Sequence, residues 1–340
     1  MSKYIWIASL LLSLGSISTS VAQERYKYFD LDPKDQKVEN SLYNSISFLD
    51  SREDTSSFGM VRVGTLDKEA IVLPSVNFGT QLSNVLAKVN GANAQQKELM
   101  FQLRRLKFVE KAEGPKEFGY CFFRANLFTS EGGNFKLVSA IDTFIVVESS
   151  GDVTKSITEE ANKSIVEFIT KALKKEVTQA SILTLDEIVK IDSIEKLKIK
   201  VYNVVEYVDG VYTNFEAFKN QTPNYALFSI TFEDGEIAEI KSKSRKGKVR
   251  KMKSDNVYAI VNKGKPYISA QFGYYPLVKN NNDFYFIGDD KSNFIKGQIV
   301  KSNSIFNSTE YVYSALPLTS VFEIKIDHMN GKFMRVKEIK

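Results

Sequence analysis

The chain holds one histidine, His328, and one cysteine, Cys121, so the two residue types that do most nucleophilic and metal chemistry are nearly absent. A Ser-His-Asp relay needs a histidine base oriented by a carboxylate. His328 lies in Lys325-Ile326-Asp327-His328-Met329-Asn330-Gly331, just before a hairpin dipeptide, where an exposed turn residue is expected. Zinc sites draw on several His and Cys ligands, which two such residues cannot supply. Cys121 sits in the β-like run Tyr120–Phe128 and shares a strand face with Phe123, Ala125 and Leu127. A reactive thiol needs a base or cations beside it, so Cys121 reads as a packing residue. Asp30, Asp32 and Asp35, or Asp289 and Asp290, lack the spacing and glycine of a helix-loop-helix calcium site and read as solvated loop acids. No catalytic residue, cofactor-binding residue or metal ligand is singled out, and no cofactor is expected. A carboxylate pair of the glycosidase kind would meet only in the fold, so an enzyme remains open.

Phosphate-cradling loops are equally weak. Arg245-Lys246-Gly247-Lys248 lacks the leading glycine, and Gly132-Gly133 joins two strand-like runs instead of a strand and a helix. One concentrated signal remains. Residues 241–253 hold eight basic side chains in thirteen positions: Lys241, Lys243, Arg245, Lys246, Lys248, Arg250, Lys251 and Lys253. The formal net charge is only +5, so this segment exceeds the whole basic excess of the chain. Two readings stand side by side. One is a polyanion-binding patch for lipid headgroups or anionic glycans. The other is a solvated edge whose lysines discourage strand-to-strand pairing. No aromatic residue is interleaved with the lysines, which weakens nucleic-acid binding.

These residues need a scaffold, and the patterning predicts an α+β one. Met1-Ser2-Lys3, the apolar run Tyr4–Leu14 and the small residues Ser20 and Ala22 form a secretory pattern, with residues 1–22 a cleavable signal peptide. Residues 23–56 read as a polar N-terminal extension, with one short helix carried by Leu42, Ile46 and Leu49. Over 57–175 the order is strand, strand, helix, three strands, helix. Met60–Val63 and Ala70–Leu73 form a hairpin, Leu82–Val89 a helix and Leu99–Val109 a strand. The runs 120–128 and 135–147 form a second hairpin about Gly132-Gly133. Ile157 to Leu173 reads as a helix with Ser156 and Glu159 as a candidate capping box. This is a two-layer domain of strands and two helices. Residues 176–200, charged and aperiodic, read as a linker with one short helix near Leu185–Ile191. Residues 201–340 read as a mainly antiparallel β domain with a helix at Asn214–Lys219 and turns at Asp209-Gly210, Asp234-Gly235 and Asn330-Gly331.

Val257-Tyr258-Ala259-Ile260-Val261 with Gly264-Lys265-Pro266-Tyr267-Ile268-Ser269 resembles a recurring piece of uncharacterised exported proteins of Bacteroidetes-type bacteria. Asp209-Gly210-Val211-Tyr212 with Phe215-Glu216-Ala217-Phe218 and Pro223 is similar to the same chains, so the resemblance covers parts of 209–290. Asp192-Ser193-Ile194 also resembles the O-glycosylation site of such proteins. Separately, the element order of 57–175 is similar to that of small envelope accessory proteins assisting lipid or polysaccharide transport. The resemblance implies a compartment, the periplasm or cell surface, and no assigned chemistry.

The resulting expectation is an exported, envelope-associated binding or accessory protein. Its partners would be an anionic glycan or lipid surface, or an envelope protein. The alternative is a glycan- or lipid-acting hydrolase.

Overall fold

The computed structural model describes residues 25–64, 68–113, 116–177, 181–244, 246–270, 273–289 and 321–339. The signal-peptide expectation for 1–22, together with Arg245 and Asp290, lies outside the described residues. The fold is α+β, with mostly antiparallel sheets.

The N-terminal elements are β1 (Tyr26–Phe29), β2 (Tyr43–Asp50), β3 (Met60–Val63), β4 (Lys68–Pro74), α1 (Phe78–Val89), β5 (Lys97–Glu113), β6 (Lys116–Glu131), β7 (Asn134–Ser149) and α2 (Thr154–Ala172). The long strands β5, β6 and β7 are consecutive antiparallel neighbours, and the turn between β6 and β7 places Gly132 and Gly133 at φ +60° and +80°. That left-handed conformation is what the glycine pair supplies. On one face of this sheet Leu99, Phe101, Leu103, Cys121, Phe123, Ala125 and Leu127 are fully buried under Leu82, Val85, Ile157, Ile165 and Ile169 of the two helices. Truncating one of these phenylalanines to alanine costs about 3–5 kcal/mol through lost transfer and an unfilled cavity. Gly119 lets α2 sit close, since a Cβ there would lie 2.9 Å from Ile157 Cβ.

Three local expectations change. The 23–56 segment is built into the sheets: β1 pairs parallel with β4, and β2 pairs parallel with β5. The helix expected from Leu42, Ile46 and Leu49 is therefore the strand β2. Both of its faces meet apolar neighbours, Ile46 and Phe48 on one side and Leu49 on the other, so its spacing mimics a helix. The Ser156–Glu159 capping box does not form, because α2 begins at Thr154, whose N–H is held by Asp152 Oδ1 at 2.8 Å.

Residues expected to be a linker hold β8 (Ile182–Leu183), α3 (Leu185–Val189), α4 (Ile191–Leu197) and α5 (Lys200–Asn203). β8 extends the large sheet to the order β2-β5-β6-β7-β8. A capping box is present at Thr184 and Glu187, each side chain accepting the other's backbone N–H. Ile188 is buried with Met100 and Phe128 on the sheet face opposite the helices. The aperiodic sequence arises because these helices are one or two turns long, too short to show a period.

Downstream lie β9 (Gly210–Tyr212), α6 (Phe215–Lys219), β10 (Ala226–Glu233), β11 (Glu236–Lys243), β12 (Val249–Lys251), β13 (Ala259–Asn262), β14 (Lys265–Ala270), β15 (Gly273–Pro276), β16 (Val278–Asn280), β17 (Asp283–Asp289), β18 (Val321–Ile326) and β19 (Phe333–Ile339). They form sheets β10-β11-β12, β15-β14-β13-β9 and β16-β17-β18-β19. Tyr212, Phe218, Phe284 and Phe286 are buried in a core shared by the last two sheets, while Ile237 and Ile240 of the β10-β11-β12 sheet pack in a separate cluster with Val211 and Ile260. Asp209-Gly210 is no hairpin, since Gly210 opens β9, which pairs with β13 instead of its neighbour in sequence. Among the described residues no helix is long and apolar enough to cross a membrane.

Candidate functional site

The second face of the large sheet, away from α1 and α2, is where charged chemistry collects. Its cause is a β-bulge. Leu103 pairs with Ala125 and Arg105 pairs with Arg124, leaving Arg104 as the extra residue. The bulge shifts the alternation by one. Leu103 and Leu106 both reach the helix-side core, and Arg104 and Arg105 both face the other way. Arg105 and Arg124 stand directly opposite on neighbouring strands, a repulsive placement unless anions intervene.

The anions come from far along the chain. Asp327, at the β18–β19 turn, puts both carboxylate oxygens 2.8 Å from Arg124 Nη2 and one oxygen 3.3 Å from Arg105 Nη1. Asp142 on β7 adds a second contact to Arg124 at 2.9 Å. The Asp327 side chain is 1% exposed. Burial pushes its carboxyl upward, but Arg124 and Arg105 outweigh that and hold it below the ordinary value. The turn is locked in place. Gly331 has φ +72° and a Cβ there would strike Phe215, while Asn330 donates to Asp142 and Tyr258 donates to the Gly331 carbonyl.

A neighbouring cluster corrects the expectation for His328. The histidine is 4% exposed, not a surface turn residue, and its Nε2 lies 2.9 Å from Glu195 on α4. The hairpin turn at Asn330-Gly331 exists, but His328 and Gly331 are buried in it while Met329 stays exposed. Arg104 donates to Glu195 Oε1 at 2.9 Å and also pairs with Asp192. Burial raises the Glu195 carboxyl, but hydrogen bonds from His328 and Arg104 bring it down to about 2. Asp192, Glu195 and His328 place one potential ligand atom each within 4.8 Å of one another. The Arg104 guanidinium already neutralises both carboxylates, so an incoming cation would have to displace it. Three further ion pairs join the segments: Lys196 with Asp283 at 2.6 Å, and Lys325 with Asp283 and with Glu53 at 3.1 Å each. All of this is a structural junction of charges that neutralise one another, although the Nε atoms of Arg104 and Arg124 are buried without a hydrogen-bond partner.

Beside it opens a cleft of about 1000 Å³. Its walls come from β3, β5, β6, β18 and β19, and Gly59 bridges to Phe108 where any side chain would collide with the Phe108 carbonyl. The lining carries Phe108, Tyr120, Phe122, Phe322 and Phe333 together with six cations and three carboxylates. The Arg105 guanidinium lies 4.4 Å over the Phe122 ring, and that of Arg335 lies 4.6 Å over Phe322. Lys107 is exposed to the cleft, and its ammonium is pushed below the usual lysine value by desolvation and by Arg105 and Arg335. Glu110 is raised to about 7 by burial, although the Arg62 N–H donates to it at 2.6 Å. Its second oxygen is buried without a hydrogen-bond partner. Cys121 lies on the opposite, helix-side face, fully buried, with burial pushing the thiol far up.

The basic segment forms a hairpin at the edge of the β10-β11-β12 sheet. Lys241 pairs with Lys251, Ser242 with Arg250 and Lys243 with Val249. Glu239 bonds Lys241 and Lys251 at 2.8 and 2.9 Å, so these two lysines are partly neutralised. Lys243, Lys246, Lys248, Arg250 and Lys253 are exposed and form no ion pair with the described residues. The far end of the same hairpin pair carries Glu233, Asp234 and Glu236.

No family model matches the chain, and no curated protein matches it. The crystal structure of protein XCC0632 from Xanthomonas campestris, described by the family model DUF330, is similar over 44% of this chain and 91% of that one. The identity is 12% and the TM-score 0.26, a likeness too slight to bear on fold or function.

Sequence reasoning dwelt on the basic hairpin and passed over Arg104, Arg105, Arg124, Asp327 and Glu195. A signal was present. Leu99, Phe101 and Leu103 alternate, then Leu106 and Phe108 resume after a gap of three, which is the imprint of a bulge at an Arg-Arg pair. Arg124, the one charged residue in 120–128, was a second one.

Proposed function

We propose that this is an exported, envelope-associated binding protein that adheres to anionic surfaces through the β11–β12 hairpin and does no chemistry of its own. The observation that carries the reading is the polarity of the β10-β11-β12 sheet. One end holds exposed cations without carboxylate partners, and the other holds acids. Such a sheet orients itself at an anionic surface, basic end inward. Phe228, in the bulge of β10 and 56% exposed, together with exposed Val249, adds apolar contact at the same sheet. Each basic residue near an anionic bilayer contributes about 1 kcal/mol, so four would give measurable binding that fades with salt. Export to the periplasm or cell surface and the likeness to Bacteroidetes-type exported proteins rest on the sequence patterns above.

The test is co-sedimentation with phosphatidylglycerol vesicles, phosphatidylcholine vesicles and a carboxylated polysaccharide, at low and physiological salt. Wild-type protein should bind the anionic vesicles at low salt and release as salt rises. Replacing Lys243, Lys246, Lys248 and Arg250 with serine should remove that binding. Wild-type protein that ignores anionic vesicles at low salt refutes the reading, and preference for the polysaccharide moves the partner from lipid to glycan.

A second reading, a hydrolase acting on glycans or lipids, has one observation in its favour. Glu110 titrates near neutrality in a cleft, as a general acid or base would. Hydrolysis of a glycan or ester substrate that Glu110→Gln removes would establish it.

A further inference from the structure

We infer that Glu110 is a proton-operated clamp on the tip of the β3–β4 hairpin, holding it to β5 while the carboxyl is neutral and releasing it once the carboxyl ionises. This goes beyond surface adhesion, since none of the basic-sheet residues takes part.

The hairpin is fastened to the large sheet in two different ways. At its base the fastening is backbone alone: the Phe108 N–H on β5 donates to the Phe58 carbonyl at 2.7 Å, and Gly59 bridges to Phe108 in parallel. Nothing there gains or loses a proton. Nearer the tip that pairing stops, yet the N–H and C=O of Arg62 still need partners. Side chains supply both. The Arg62 N–H donates to Glu110 Oε2 at 2.6 Å, and the Arg62 carbonyl accepts from Thr154 Oγ1 at 2.8 Å. One partner, a hydroxyl at the start of α2, is indifferent to pH. The other is a carboxyl.

The surroundings of that carboxyl favour its neutral form. Its Oε1 is buried with no hydrogen-bond partner among the described residues, so a negative charge shared onto it has no donor to answer it. The Glu117 carboxylate of β6 and the Asp152 carboxylate ahead of α2 both act against a further charge. Each is held in place by an N–H at the start of α2, Val153 to Glu117 at 3.3 Å and Thr154 to Asp152 at 2.8 Å. On the other side of the balance, Arg62 stands opposite Glu69 of β4, and Lys107, Lys111, Arg335 and Lys337 line the same cleft. Burial dominates, ahead of the Arg62 N–H and Thr154 that favour the charge, and the carboxyl titrates at about 7.

Loss of the proton therefore creates a charge that burial and two acids oppose. Turning the carboxylate out into the cleft relieves all three at the expense of the Arg62 hydrogen bond. The Gly59–Phe108 bridge is then the pivot. Arg62 and Val63, still paired with Glu69 and Lys68, leave β5 together with them. Met60, Val61 and Arg62 line the cleft, so the release widens one side of it.

The test is amide hydrogen exchange of the full chain from about pH 5.5 to about pH 8.5, corrected for the intrinsic rate at each pH. In wild type the protection of the Arg62 amide should fall at least tenfold, with its midpoint near 7, while that of Phe108 stays within about threefold. Glu110→Gln keeps an acceptor for Arg62 and cannot ionise, so its Arg62 amide should stay protected throughout. Asp152→Asn should move the midpoint to lower pH, and it carries the test if Glu110→Gln does not fold. The readout is the protection of one amide, which separates the clamp from any hydrolysis that Glu110→Gln removes. A flat Arg62 profile in wild type overturns the inference, as does a pH-dependent loss that survives Glu110→Gln or a midpoint that Asp152→Asn leaves unmoved. Equal loss at Phe108 also overturns it, because the base of the hairpin would then open with the tip.

Discussion

Two regions of this protein are rich in charge, and they use it in opposite ways. At the junction of Arg104, Arg105 and Arg124 with Asp142, Asp327, Asp192, Glu195 and His328, the cations are withdrawn from water and answered by carboxylates from distant parts of the chain. At the β11–β12 hairpin, more cations lie closer together in sequence, yet they stand in solvent, with Glu239 answering two of them. A charge buried and matched fixes how segments sit, because leaving it unmatched in a low-dielectric interior is costly. A charge exposed and unmatched costs the fold little and is left over for a partner. Density of charge along the chain therefore says less than where the counter-charges are.

The sharpest way to break this contrast is Asp327→Ala. It strips Arg124 and Arg105 of their shared partner and should destabilise the protein by about 3–5 kcal/mol, seen as a lowered urea midpoint. A loss below about 1 kcal/mol would put the junction in the same class as a surface ion pair. Replacing Arg105, Arg124 and Asp327 together with apolar residues of similar volume should cost less than Asp327→Ala alone, since no orphaned charge remains.

Glu195→Gln should have the next largest effect, and only in one pH range. The folded carboxyl titrates at about 2, below its ordinary 4.5. A depressed carboxyl contributes stability above its unfolded value and loses it as pH falls through the folded one. Wild type should therefore exceed Glu195→Gln by about 1–2 kcal/mol at pH 6, with the gap closing between about pH 4.5 and pH 2. A gap that persists at pH 2 would mean that the glutamate acts through packing.

Glu110→Gln should show a smaller change of opposite sign. Its folded carboxyl titrates at about 7, above 4.5, so the folded state binds the proton more tightly and loses stability as pH rises through that window. The variant should equal wild type at pH 4.5 and exceed it by about 1 kcal/mol at pH 8. Thermal melts across that range read it directly. Last comes the hairpin. The serine variant of Lys243, Lys246, Lys248 and Arg250 should melt within about 0.5 kcal/mol of wild type while losing vesicle binding. If it fails to fold, the hairpin cations are structural, as those of the junction are.

Much of the fold could be read from local pattern. Alternation in 97–113, 116–131 and 134–149, the apolar stripe of Ile157, Ala161, Ile165 and Ile169, and the turn residues at Gly132-Gly133, Asp234-Gly235 and Asn330-Gly331 all specify elements within a short window. The basic run of 241–253 could be read this way too, but the buried charge junction and the cleft beside it could not. Residues 23–56 and 176–200 look like an extension and a linker because their order comes from distant partners. β2 and β1 pair in parallel with strands further along the chain, and α3 and α4 lie on the outer face of the large sheet.

The sequence by itself determined most of the element types in 57–175, the buried cysteine, the scarcity of nucleophile and metal chemistry, and the place where positive charge accumulates. These depend on residue type and on periods of two or 3.6, which act over a few residues. Only the tertiary structure decided that His328 is buried against Glu195, that one bulge turns Arg104 and Arg105 to the same face, and that Asp327 meets Arg124 from 203 positions away. It also decided that Lys107 and Arg335 share a cleft with an aromatic wall. Pairing of charges across such separations is set by strand register and sheet packing, and no local pattern carries that information.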